Sequence, residues 1–207
     1  MTIVCVDEQV RIKTPTVVCL GFFDGVHIGH QRLIERAKNV SRAQGLRVCV
    51  HTFAQMPVKV MRPSLAVKEL TPLPEKAALL EKLGVDIVAV SNFDESMMHM
   101  RAADFFRDIL IEKLCTKHIV AGFHHRFGFH GEANVEALSG LCQAAGVGLS
   151  VIPPITLENG ELVSSTAIRR LLALGNTQKA EAMLGRPYIP PVQETDGMDI
   201  TCGRKSR

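Results

Sequence analysis

Thr16-Val17-Val18-Cys19-Leu20-Gly21-Phe22-Phe23-Asp24-Gly25-Val26-His27-Ile28-Gly29-His30-Gln31 is the stretch on which the reading of this chain turns. Its first residues are a short, β-rich apolar run closed by Gly21, the pattern of a buried strand. From His30 to Gln44 apolar residues recur at helical spacing, at Leu33, Ile34, Ala37 and Val40. The order is strand, glycine loop, helix. In an open α/β sheet, ligands bind outside the carboxyl ends of the strands, which is where the segment Gly21 to His30 falls.

Residue types within that loop suit a phosphate. Gly25 and Gly29 let the backbone turn tightly and approach an anion, and the following helix directs free N–H groups and its positive dipole end to the same place. His27 and His30 bracket Gly29, so two imidazoles can offer N–H donors to one phosphate group as negative charge builds up during a displacement. Such electrostatic stabilisation needs no covalent intermediate.

Outward from this unit the alternation continues. Strands are predicted at Leu46 to Phe53, Asp86 to Val90, Lys117 to Ala121 and Leu149 to Ile152. Helices are predicted at Leu73 to Leu83, Arg101 to Leu114, Glu132 to Ala145, Ser164 to Gly175 and about Thr177 to Leu184. Strands alternating with helices imply right-handed crossovers and an α/β fold, a Rossmann-like, doubly wound, mostly parallel sheet of about five strands. Ala54 to Thr71, which carries Pro57 and Pro63, reads as a long irregular stretch of the functional or mobile kind, and Glu158-Asn159-Gly160 as a hairpin turn. Residues 1–188 are expected to form one catalytic domain. Residues 189–207 lose periodicity and gain Pro, Gly and charge, which predicts a poorly ordered tail.

Composition narrows the function class. Apolar residues make up 46% of the chain while aromatics make up 5%, so the core must be mostly aliphatic, as suits a parallel sheet covered by helices. The net charge of +3 is spread along the chain, which argues against a nucleic-acid partner and admits a small anionic ligand. The amino terminus lacks a signal-peptide pattern and no apolar run approaches the roughly 18 residues needed to span a bilayer, so a soluble, cytoplasmic protein without a membrane partner is expected. The cysteines are far apart and without a C-x-x-C pair, and read as reduced thiols. His124, His125 and His130 lack Cys, Asp or Glu at close spacing, and no dedicated metal site is expected. Ser164, Ser165 and Thr166 stand where a helix begins, with Arg169 one turn further on, a pattern that fits a simple N-cap and an anion site equally well.

The string Gly21 to Gln31 resembles the G-x-F-D-x-x-H-x-G-H signature of the nucleotidyltransferase superfamily and, in its fuller form ending in Gln31, the bacterial FAD synthetases. In those proteins the module is the amino-terminal half of a bifunctional riboflavin kinase and FMN adenylyltransferase. Leu70-Thr71, Glu75-Lys76 and Leu83-Gly84-Val85-Asp86 are similar to the family's next helix and strand. Gly122 with Arg126-Phe127-Gly128 resembles its G-x-D-F-R-F-G element. Val163 to Arg169 resembles its I-S-S-T-x-I-R element, and Leu184-Gly185-Arg186-Pro187-Tyr188 its closing L-G-R-P-Y.

The resemblance implies transfer of AMP from ATP to FMN, giving FAD and pyrophosphate, with Mg²⁺ carried by ATP. It implies His27 and His30 as the catalytic pair. ATP would be held by Gly21, Phe22, Phe23, Asp24, Gly25, Gly29, Ser164, Ser165, Thr166 and Arg169. Phe53, Pro57, His124, His125, Arg126 and Phe127 would face the flavin, although Phe53 and Phe127 are equally suited to the core. ATP and FMN are then the expected small-molecule partners; nothing in the sequence speaks to oligomeric state.

Three positions depart from the pattern. Met56 stands where the family's T-F-x-P-H-P has His, His124 where its Asp is expected, and His125 where its Phe is expected. The nineteen residues after Tyr188 are too few for the family's β-barrel kinase domain, so no riboflavin kinase activity is expected. Two alternatives stay open: another phosphorylated acceptor, such as a pantetheine phosphate or nicotinamide mononucleotide, and a non-catalytic copy that binds nucleotide or flavin as a regulator.

Overall fold

In the computed structural model, residues 1–62, 64–65 and 67–191 are described. The expected tail from residue 192 onward lies outside them. Six strands form one parallel sheet in the order β1-β4-β3-β2-β5-β6: β1 (Thr2–Cys5), β2 (Thr16–Leu20), β3 (Arg47–Phe53), β4 (Ile87–Ser91), β5 (Thr116–Gly122) and β6 (Gly148–Ile152). β1, beside β4, is the strand the sequence did not announce. It is short, lies at the sheet edge and has no fully buried residue, so it lacks the apolar run that betrays a central strand. β2 and β4 are buried along their whole length.

Helices cover both faces. α1 (Ile28–Gln44) and α3 (Leu73–Lys82) press Leu33, Ile34, Ala37, Val40 and Leu80 onto Val17, Cys19, Val48 and Val88 on one side of the sheet. The opposite core is built from Val18, Leu20, Ile119 and Ala121 of the sheet against α6 (Val135–Ala145) and the segment Phe105–Lys113. That segment was expected to be α-helical. It is α-helical only over α5 (Ala102–Asp104) and then adopts the wider π turn. The reason lies in its pattern: the buried residues Phe105, Phe106, Ile109, Leu110 and Leu114 repeat every four to five positions, which a wider turn keeps on one face.

Within the stretch expected to be irregular, a short helix α2 (Pro57–Met61) forms, started by Pro57 at its first position. α4 (Glu95–His99) was likewise unread, a single turn capped by the Asp94 carboxylate on Met97 N at 2.9 Å. α7 (Ser165–Ala173) and α8 (Thr177–Leu184) pack together over a third cluster that includes Leu70, Val163, Ile168 and Met183. The Glu158-Asn159-Gly160 turn is present, with Thr156 and Leu162 bridged antiparallel across it. Cys19, Cys49, Cys115 and Cys142 are free thiols, as expected, whereas Cys5 departs from that reading and is disulfide-bonded.

The topology fixes where a ligand sits. From β2 the chain moves outward to β3 and β4, then crosses back to place β5 on the other flank of β2. The crevice at this reversal lies between the carboxyl ends of β2 and β5, from which Gly21 to His30 and Phe123 to Gly128 emerge.

Candidate active site

The loop after β2 is bent into a conformation that side chains resist. Phe23 and Val26 have φ of 57° and 40°, and Gly25 has 81°; for a β-branched residue such as Val26 this is costly. The surroundings hold it there. The carbonyl oxygens of residues 22 to 26 each accept a hydrogen bond: from Thr52 Oγ1 (2.8 Å), Val26 N (3.2 Å), Ser165 Oγ (2.9 Å), Arg186 Nη1 (2.7 Å) and Gln31 Nε2 (3.0 Å) in turn. A side chain at position 25 would also meet Leu70 Cδ1 at 3.0 Å, so Gly25 is required by both space and φ.

Asp24 is the hub. Its side chain is 2% exposed, and Oδ1 accepts from Leu70 N (2.9 Å) and Thr71 N (3.1 Å) while Oδ2 pairs with Arg169 Nη2. Burial pushes this carboxyl above its ordinary range, and Arg169 is the main opposing influence. The elements that resemble one family in sequence, Leu70-Thr71, Ser165 with Arg169, and Arg186, thus come together on a few atoms of one loop.

His27 caps α1: its Nδ1 accepts from His30 N at 3.4 Å, which leaves Nε2 to carry the proton of the neutral ring. The His27 and His30 rings stack at 3.7 Å between centroids, 18° apart in plane. Burial drives His27 down to about 4 and, with the neighbouring His27 and Lys76, holds His30 well below the usual histidine value. At neutral pH both are uncharged N–H donors. Gly29 lies under this pair; a Cβ there would stand 3.1 Å from the His27 ring.

Of the serine pair, Ser164 is the N-cap, accepting from Ala167 N at 3.1 Å, while Ser165 is tied to Asp24 O and Thr166 is exposed. The N-cap reading of that segment thus falls to Ser164, while Ser165 and Arg169 are bonded to Asp24 of the loop.

On the other side of Gly21 and Phe22 opens a cavity of about 740 Å³. Phe53, Pro57, His125, Arg126 and Phe127, all expected to face the acceptor, line it. Phe127 is also part of the core, only 8% exposed. His124 is exposed, sets its ring edge-on against Phe123, and is not part of the cavity wall. Met56 is buried, 4% exposed, and offers no cap to α2.

The sequence reading missed Phe93, which meets Phe53 edge to face at 5.3 Å, and Met97, Met98 and Met100 of the same wall. The crowding of three methionines into four positions was the available signal, since Met suits adaptable apolar surfaces. Also missed was His51 in strand β3, which lines the cavity and bonds Ser91 Oγ at 2.8 Å. So was Lys76, which sits 1% exposed with its ammonium 3.8 Å from the centroid of the Phe22 ring. Its signal was a lysine in the apolar stripe of α3, between Leu73, Ala77 and Leu80.

Among the described residues, no group of three or more His, Cys, Asp or Glu is placed to hold a metal ion, and no helix is long and apolar enough to cross a membrane.

Comparison with known proteins places these features in context. Residues 9–167 match the model of the family described as FAD synthetase. The chain is 36% identical over 173 residues to a bifunctional riboflavin kinase/FMN adenylyltransferase of Listeria monocytogenes, covering 83% of this chain and 54% of that protein. It is 33% identical over 184 residues to the protein of the same description from Bacillus subtilis, covering 88% and 56%. A solved structure described as a macrolide-efflux protein from Streptococcus pneumoniae superposes with a TM-score of 0.78 at 28% identity, over 91% of this chain and 62% of that one. The chain thus spans about half the length of the curated relatives it matches.

Proposed function

The chain belongs to the FAD synthetase family, and from that premise we propose that it transfers AMP from ATP to FMN, giving FAD and pyrophosphate. The observation that carries the proposal is that the phosphate loop and the apolar cavity share a wall: Gly21 and Phe22 belong to the loop and also line the cavity. A flat aromatic ring inserted between Phe53, Phe93 and Phe127 keeps its phosphate tail directed at the histidine pair.

In the reaction, an oxygen of the FMN phosphate forms a bond to the α-phosphorus of ATP as the bond from that phosphorus to the pyrophosphate oxygen breaks in line. His27 and His30, kept neutral by burial, donate N–H bonds to the oxygens on which charge accumulates. Ser165, Thr166 and Arg169 bracket the phosphates from the start of α7, while the backbone of Phe23 to Gly25 supports the nucleotide. Mg²⁺ enters bound to the ATP phosphates and supplies further charge neutralisation there. Ser164 acts through the helix it caps, and His124, outside the cavity wall, contributes at most from its rim.

Incubation of the protein with FMN, ATP and Mg²⁺, followed by chromatography, tests the reading. FAD is expected from FMN and is lost in a His27→Ala/His30→Ala variant. Pyrophosphate release with another phosphorylated acceptor and none with FMN would move the protein elsewhere in the nucleotidyltransferase superfamily. Ligand binding without turnover would make it a regulator.

A further inference from the structure

Lys76 has no part in the chemistry set out above, yet its place in the fold is unusual. A lysine is rarely buried to this degree unless its charge is used. Here it projects from the core-facing stripe of α3 beneath the loop after β2, 1% exposed. Its ammonium lies over the face of Phe22, 3.8 Å from the ring centroid, and Phe22 is the residue at which the loop and the cavity meet. The charged and titratable groups that act on it come from separate elements: Asp24 and Glu69 hold its proton, while burial releases it. Lys76 in turn acts on His30, helping to keep that imidazole neutral, and His30 is stacked on His27.

The charges around Asp24 show that the lysine is not simply the aspartate's counter-ion. Asp24 already has a guanidinium partner in Arg169 and two backbone N–H donors from Leu70 and Thr71. Arg186 brings a further cation to Gly25 O, with Glu75 as its acidic neighbour. Glu69, the other carboxylate that acts on Lys76, is itself paired with Lys59 at 3.2 Å, so the four cations Arg169, Arg186, Lys59 and Lys76 exceed the three carboxylates Asp24, Glu75 and Glu69 by one. An anion seated on the loop is what such a surplus suits.

We propose that Lys76 is a positioning residue for the triphosphate: its buried ammonium locks Phe22 by a cation–π contact and charges the loop from behind. It thereby favours polyphosphate binding without touching the ligand. This deepens the reading of the site as an ATP-dependent adenylyltransferase and rests on that reading for the ligand. Because the interaction is through the loop, an arginine can replace it and a methionine of similar length cannot. Burial also brings the Lys76 ammonium down to about 8, so alkaline solution removes the charge that the loop needs. The sign follows: affinity for the triphosphate is full below about pH 8 and declines above it.

The test is calorimetric titration with Mg·ATP alone, with no flavin present, on wild type, Lys76→Met and Lys76→Arg at pH 7 and pH 9.5. Wild type should lose affinity about tenfold between the two pH values. Lys76→Met should be weaker than wild type by a similar factor at pH 7 and show no further loss at pH 9.5, and Lys76→Arg should bind tightly at both. Equal affinity of Lys76→Met and wild type, or a pH step that persists in Lys76→Arg, overturns the proposal. If Lys76→Met does not fold, the wild-type and Lys76→Arg profiles decide alone. The pattern found in a protein that makes no FAD would leave Lys76 in its role and remove the flavin assignment, whereas wild type that binds no Mg·ATP removes both.

Discussion

The two halves of the site are built on opposite principles. Around Asp24 the chain is closed and over-determined: five consecutive carbonyls are bonded, the carboxylate is triply engaged, and two non-glycine residues are held at positive φ. Across Phe22 the cavity is open and mostly apolar, with three methionines in one short stretch of wall and one imidazole nitrogen, His125 Nε2, buried without a hydrogen-bond partner. Rigid polar geometry suits a step whose transition state must be met by fixed donors, and a pliable apolar slot suits a ring held mainly by contact area. The positions that depart from the family pattern, Met56, His124 and His125, fall outside the rigid loop. Of the three, His125 lines the cavity, Met56 is buried next to Pro57 of its wall and His124 is exposed outside it. None falls within residues 22 to 26, whose carbonyls are all bonded, although His30 Nδ1 and Thr71 Oγ1 beside that loop are buried without a hydrogen-bond partner.

Substitutions at the two ends should separate accordingly. The largest effect is expected at the histidines: His27→Ala or His30→Ala should lower the rate of FAD formation by about 100-fold or more while FMN still binds. Stopped-flow or steady-state kinetics with product analysis checks this. Next is the hub. Asp24→Ala removes one partner of a buried ion pair and should destabilise the fold by about 3 kcal/mol, read from denaturant unfolding.

Acid should undo both halves of the site. His27, His51 and His125 are lowered by burial to about 4, about 3 and about 4, and His30 also lies well below its ordinary value. The unfolded chain therefore takes up protons that the folded one refuses. Stability contributed by these groups is complete above the unfolded value of 6.5 and falls as pH drops toward about 4, as a series of thermal melts will register.

Smaller effects belong to the cavity. Phe53→Ala should raise the KM for FMN about tenfold and leave that for ATP near its wild-type value. His125→Phe, which installs the residue usual in the family and removes the unpartnered nitrogen, should change FMN affinity by no more than about threefold and leave the melting temperature equal or higher.

Legibility in the sequence follows the same division. The loop could be read because its parts are local: strand, glycines and two histidines within one short string, followed by a helix. Even so, reading did not show that Asp24 is the centre to which Leu70-Thr71, Ser165, Arg169 and Arg186 converge, because those contacts join residues far apart in the chain. The cavity was half legible. Phe53, Pro57, His125, Arg126 and Phe127 were named through the family resemblance, as was His124, which lies outside the wall, while Phe93 and the methionine wall were not, since they lie on α4 and its flanks, a turn too short to carry periodicity. The parallel sheet was legible in its central strands, whose apolar runs are continuous, and not at β1, where an edge position removes that signal. Lys76 was visible as a family match but not as a buried charge, because a lysine in a helix stripe reads by default as a solvated one.

The most direct test of the division is one set of assays on three proteins: wild type, His27→Ala/His30→Ala and Phe53→Ala, each given FMN, ATP and Mg²⁺, with FAD followed by chromatography and FMN binding by flavin fluorescence. The account predicts that the histidine variant binds FMN with near wild-type affinity yet makes no measurable FAD, and that Phe53→Ala makes FAD at saturating FMN with a raised KM. A histidine variant that no longer binds FMN, or a Phe53→Ala protein with unaltered KM for FMN, would contradict it.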